Sequence, residues 1–192
     1  MNPDFDKANS ILFSCIREAS LEVMKSETKS EEFVIDEKEQ PSPEQLQYFE
    51  EISCILLTSE ELKIIFKAHY WLNTMKKMIK IIQPNLPAIL MTKKSRDFAK
   101  ELCNIIAGRI KFQFVPLKCN IGQSLPINLD GYNQIFFITD RKDTFTTSWY
   151  VMDQNLKICF SSTIEYFNPE IVNKIGESLS PTLVQAPSVE IL

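Results

Sequence analysis

Apolar residues return every three or four positions in three stretches of the chain, and elsewhere they crowd into short unbroken runs. The first pattern predicts amphipathic helices and the second predicts strands. Over residues 5–25, Leu12, Ile16, Ala19 and Val23 recur at helical spacing, flanked by Ile11 and Cys15. Over residues 70–82, Trp71, Leu72, Met75, Met78 and Ile79 do the same, and Pro84 and Pro87 close that helix. The longest stretch is SRDFAKELCNIIAGRIKFQF at 95–114, stopped before Pro116. The runs ISCILL (52–57) and LKIIFKA (62–68), separated by TSEE, read as a hairpin. CNIGQSL (119–125), QIFFIT (134–139), TTSWYVM (146–152) and LKICFS (156–161) follow, with turn signals at Asp130-Gly131, at DRKD (140–143) and at Asp153-Gln154-Asn155. Consecutive strands with short turns predict an antiparallel meander. A short apolar run, FVID, lies at 33–36, and EKEQPSPEQ at 37–45 is a loop by its prolines and charge.

This order of elements predicts an α+β fold, an antiparallel sheet covered on one face by long helices. The main domain spans residues 1–162. Residues 163–192 form a C-terminal extension with one short helix near 169–175, followed by a weakly ordered or docking tail, SLSPTLVQAPSVEIL.

Composition narrows the chemistry. A chain of 192 residues with 44% apolar content fits one domain with a real core. Against 25 acidic residues there are 21 basic ones, a net charge of −4, which argues against nucleic-acid binding through a basic field. No apolar stretch approaches the roughly 18 residues of a membrane span, and the amino-terminal MNPDFDKANS does not read as a signal peptide. The expectation is a soluble, cytoplasmic protein. One histidine, His69, precludes a multi-histidine metal centre. Four glycines (Gly108, Gly122, Gly131, Gly176) lie too far apart for a phosphate-binding loop. Cys15, Cys54, Cys103, Cys119 and Cys159 form no CxxC pair and sit in apolar runs, as buried reduced thiols do. The aromatics Tyr70, Trp71, Phe136, Phe137, Trp149 and Tyr150 read as core packing, and the lysine pairs at 76–77 and 93–94 as solvated charge.

At 100° per residue, the helix at 95–114 separates into two sides. Phe98, Ala99, Leu102, Cys103, Ile105, Ile106 and Ile110 form the apolar one. Asp97, Glu101, Asn104 and Gly108 fall within a wedge of about 60° opposite. An exposed helix face ordinarily carries such polar residues. A glycine in a helix interior costs about 1 kcal/mol relative to alanine, so Gly108 points either to tight packing or to a close approach by something else.

The Asp97-x3-Glu101-x2-Asn104 spacing, with Pro126 following in GQSLP, resembles the signature of the CheC/CheX/FliY family of chemotaxis phosphatases. ELCNIIAG and GQSLPINLDG are similar in kind to that family's helix and following strand, and the element order agrees over residues 9–161. A single such helix resembles CheX more than CheC. In the first helix Ser14 and Glu18 repeat the spacing, but Leu21 stands in the asparagine slot. The chain departs from the family in lacking glycines around its first hairpin.

The resemblance implies an enzyme acting on the aspartyl phosphate of a CheY-like response regulator. Asn104 would orient the attacking water and Glu101 would pair with the receiver's lysine. Asp97 and Gly108 would contribute docking, Asp97 alternatively belonging to a solvated first turn. The chain would need no metal or cofactor of its own, the magnesium being the receiver's, and would touch neither membrane nor nucleic acid. CheX-like proteins pair by joining sheets, so the resemblance also implies a homodimer, with TTSWYVM a candidate edge. Two rivals stand beside this reading. One is a non-catalytic adaptor binding a receiver or another signalling partner through the same helix. The other is a cysteine hydrolase built on His69.

Overall fold

Alternation along residues 62–70 buries Leu62, Ile64, Phe66, Ala68 and Tyr70 on one face of a strand. That face is the floor of the core. The computed structural model describes residues 3–131 and 144–179. Its elements in chain order are α1 (Pro3–Thr28), β1 (Val34–Ile35), α2 (Pro43–Leu46), β2 (Glu51–Thr58), β3 (Leu62–Tyr70) and α3 (Leu72–Ile82). They continue with α4 (Ala88–Gln113), β4 (Gly122–Gln123), β5 (Ile127–Asp130), β6 (Thr144–Met152), β7 (Lys157–Tyr166) and α5 (Glu170–Ser178).

The strands form one antiparallel sheet in the order β1-β6-β7-β3-β2, with β4 and β5 both on the outer edge of β2. The β2–β3 hairpin forms at TSEE as expected. Ser59 closes it, its Oγ accepting from the amides of Glu61 (3.1 Å) and Leu62 (3.2 Å). Helices α1, α3, α4 and α5 gather on the face that buries Phe66, so the expected α+β architecture with helices on one face is the one observed. Phe66 sits at its centre, with ring centroids 5.5 Å from Phe160 and 6.2 Å from Trp149. Trp149 in turn donates from Nε1 to Ser20 Oγ at 2.9 Å, tying β6 to α1. On the other face α2 and the residues after it cover one end of the sheet, where Leu46 and Phe49 pack on Tyr150 and Cys159.

The expected meander over 119–161 is corrected. Strands β4 and β5 join β2, while β6 and β7 lie on the far side of β3, so the chain crosses the sheet between β5 and β6. Neighbours in sequence usually pair, but here β2 offers an open edge long enough for both short strands. Of the expected strand 119–125 only Gly122–Gln123 pairs, and INLD, outside the expected runs, forms β5. The expected strand at 134–139 lies outside the described residues. FVID supplies β1, which pairs with Val151 and Met152, and Asp36 N donates to Tyr150 O (3.0 Å). The outer edge of the TTSWYVM strand is therefore occupied at residues 150–152.

Two helix ends also differ from expectation. Helix α4 starts at Ala88, one residue after Pro87, because Pro87 takes φ −59° and serves as its N-cap; the polar TKK at 92–94 hides this extra length from a periodicity search. Helix α1 runs on to Thr28 and stops where Lys29 takes φ 55°, with Ser30 N donating back to Lys25 O (3.1 Å), a Schellman-type turn. Past residue 162, β7 continues to Tyr166, and α5 sends Ile171, Val172 and Ile175 into the same core against α1. The packing thus reaches Leu179.

Candidate functional site

Helix α4 turns Ala99, Leu102, Cys103, Ile106, Ala107 and Ile110 into the core. Its opposite line is therefore presented outward by packing alone. Asp97, Lys100, Glu101 and Asn104 form one wall of an open groove of about 420 Å³, and Leu125 and Pro126 form the other. Asp97, Glu101, Asn104 and Pro126, singled out from the sequence, thus meet at one place. Lys100 and Leu125 were missed, the first because its ion-pair role is local and the second because its exposure is set by strand register. Gly108 lies outside the groove, on the exposed side of the helix one turn beyond Asn104. A Cβ added there meets nothing within 4 Å, so packing within the described chain does not require a glycine.

The second wall exists because of a register change. Gln123 pairs with Leu57, and Ile127 pairs with Cys54. Four steps along one strand thus oppose three along the other, which is a one-residue bulge at Ser124–Pro126. Ser124 anchors it from both sides: its amide donates to Leu56 O (2.9 Å) and its Oγ accepts from Leu56 N (3.0 Å). The bulge pushes Leu125 out to 86% exposure and places Pro126, which has no N–H to lose from a ladder, at the lip. It also reverses the alternation, so that Gln123 and Asn128 both face α4. Gln123 Nε2 donates to Asn104 Oδ1 (2.9 Å) and to Asn104 O (3.3 Å), and Asn128 Nδ2 donates to Arg96 O (3.2 Å). Two amides from the sheet edge thus hold the helix at two carbonyls.

The charges in the groove are unequal in availability. Asp97 is paired with Lys100 (3.0 Å). Glu101 is exposed and has no cation or hydrogen-bond donor among the described residues. Earlier on the same helix the exposed Arg96 makes an ion pair with the buried Glu51 of β2, Nε to Oε1 being 3.0 Å. Arg109 pairs with Glu22 and joins α4 to α1. In α1 the repeated spacing is turned to local use: Ser14 Oγ donates to Glu18 (3.3 Å), and Leu21, in the asparagine slot, packs against the core.

The cysteine hydrolase reading meets contrary geometry. All five cysteines are free and buried, and burial pushes the thiols of Cys103 and Cys159 far up, away from the thiolate a nucleophile needs. His69 is fully buried on β3 beside Phe49 and shares a 2.8 Å hydrogen bond with Ser161 Oγ. Burial, helped by Lys67, pushes its pKa down to about 3. The residue is a neutral structural histidine. Between pH 6.5 and about 3 the unfolded chain binds a proton that the folded chain refuses, so stability falls as pH drops through that window. From pH 7 to pH 5 the expected loss from this residue is about 2 kcal/mol. Urea midpoints of wild type and His69→Gln at the two pH values measure it: the wild type should lose more than the variant by that margin.

No family sequence model matches the chain, and no curated protein sequence does. Solved structures do. A CheC-like superfamily protein from Shewanella sp. PV-4 superimposes with a TM-score of 0.59 at 14% identity, over 86% of this chain and 99% of that one. CheX in a complex with CheY, BeF3 and magnesium from Borrelia burgdorferi gives 0.62 at 13% identity, over 80% and 96%. FliY from Thermotoga maritima gives 0.54 at 10% identity, over 91% and 94%, and a FliM middle domain is a further neighbour. The chain therefore has the fold of the CheC, CheX and FliY proteins, as the resemblance in its residues anticipated. No described helix is long and apolar enough to cross a membrane.

Proposed function

We propose that this chain is a phosphatase for the aspartyl phosphate of a CheY-like response regulator, with the α4 groove as its site. The observation that carries the reading is the pair of Glu101 and Asn104 on one wall of an open groove, Glu101 lacking any cation among the described residues. An exposed, unpaired carboxylate one turn from an outward amide suits a partner that brings its own positive charge. The receiver's active-site lysine supplies that charge. The solved complex of a like-folded CheX with CheY supports a receiver as the partner class.

The chemistry asks little of the chain. In the acyl phosphate, water oxygen forms a bond to phosphorus while the bond from phosphorus to the aspartyl oxygen breaks. Aspartate leaves as carboxylate and the water's protons pass to phosphate and solvent. With the receiver's own magnesium bound, the phosphoryl charge would be neutralised on the partner's side, and what is left for this chain is to place a water in line. An amide does this without titrating: its oxygen accepts from the water and its NH2 can donate. Asn104 holds that position. Glu101 draws the lysine aside and fixes the docking angle. Asp97, tied to Lys100, marks one end of the contact, and the bare backbone at Gly108 lets the partner approach the helix closely beyond Asn104.

The test is phosphate release from a panel of receivers charged with acetyl phosphate, alongside binding to the same receivers charged with beryllofluoride. Glu101→Lys sets two cations face to face, where like-charge contacts cost several kcal/mol. It should weaken binding to the charged receiver at least tenfold. Tight binding without any acceleration of phosphate release would favour an adaptor, a role open to the same fold.

A further inference from the structure

We infer that Gln123 is a positioning residue for Asn104, setting which end of its amide faces the groove. The inference rests on the phosphatase reading for its kinetic consequence and on hydrogen-bond geometry for its structural part. The polarity follows from a single unambiguous group. The backbone carbonyl of Asn104 can only accept, so the Gln123 amide must turn its Nε2 toward it, at 3.3 Å. The same Nε2 lies 2.9 Å from the Asn104 side chain, which must then offer its oxygen. One nitrogen, two protons and two acceptors on one residue thus fix both amides. Asn104 Oδ1 keeps one lone pair for the groove, and Nδ2, which has no partner among the described residues, occupies the other end.

Gln123 is itself held from behind. Its backbone in β4 pairs with Leu57 of β2, and the next residue, Ser124, is hydrogen-bonded to Leu56 through both its amide and its hydroxyl. The bulge that exposes Leu125 therefore also aims Gln123 at α4. A water-orienting amide gains from such a brace, because a free Asn spends its time in several χ2 orientations and a displacement of 1 Å can cost about a hundredfold in rate.

Two replacements test this. Gln123→Met keeps the length and removes the donor. Gln123→Glu replaces the donor by an acceptor, which repels the Asn104 carbonyl and draws Nδ2 inward, reversing the amide. With a CheY-type receiver charged by acetyl phosphate, both should lower the maximal rate by ten- to a hundredfold, while affinity for the beryllofluoride-charged receiver stays within about threefold of wild type. A structural readout runs in parallel: the Asn104 side-chain NH2 resonances, identified by their loss in Asn104→Ala, should shift in both variants. Unchanged rates in both variants beside an active wild type would overturn the positioning role. If the wild type itself fails to accelerate hydrolysis, the phosphatase reading falls, and the resonances alone decide: shifted, they uphold the brace; unmoved, they overturn it.

Discussion

Replacing Asn104 with alanine will lower the maximal rate of receiver dephosphorylation by about 10²–10³-fold, the usual loss when one preorganised hydrogen-bonding group is removed from a transition state. Affinity for the beryllofluoride-charged receiver should move by less than about fivefold, since a single polar contact at a rim carries little binding energy. The split follows from the geometry. Asn104 reaches the groove beside Glu101 and is braced by Gln123, but it anchors no part of the core. Stability should scarcely change, alanine being the better helix former. Asn104→Asp is the sharper variant: it keeps the shape and the acceptor for Gln123, yet presents a negative charge to an anionic phosphoryl group. It should be as slow as alanine, and phosphate-release kinetics at saturating receiver measure both.

Truncating Phe66 to alanine will cost about 3–5 kcal/mol, the range for a fully buried phenylalanine whose cavity collapses only in part. Phe66 has no exposed surface and packs its ring on Phe160 and Trp149 at the middle of the sheet. For a domain whose net stability is about 5–15 kcal/mol that is a large share. The melting temperature should drop by roughly 10–15 °C in calorimetry. A drop under about 3 °C would mean that the helices do not rest on this face as described.

How much of the molecule is legible in its residues differs from element to element. Helix α4 is legible because its core side repeats every three to four residues and its polar wedge is narrow, which puts Asp97, Glu101 and Asn104 on one line of the helical wheel. The first two turns of α4 are not, because their apolar residues Ala88–Met91 form one unbroken block followed by the polar TKK rather than a stripe at helical spacing. The hairpin β2–β3 is legible through two apolar runs and a short polar turn. The bulge at Ser124–Pro126 is not: a register slip is decided by which edge a strand finds, here the open edge of β2. With the bulge hidden, so are the exposure of Leu125 and the aim of Gln123. Strand β1 is two residues long and leaves no periodic trace. His69 lies between Ala68 and the aromatic pair Tyr70-Trp71, apolar neighbours that favour burial, and the buried imidazole with a hydroxyl partner stays neutral.

On the proposed function this chain speeds the loss of phosphate from a receiver domain. Single-turnover decay of a CheY-type receiver carrying a labelled aspartyl phosphate, with magnesium present, tests it most directly. Adding the wild-type chain should shorten the half-life of the label in proportion to its concentration until the receiver is saturated, with inorganic phosphate as the product. Decay at the receiver's own rate, with the chain demonstrably bound to it, would contradict the claim.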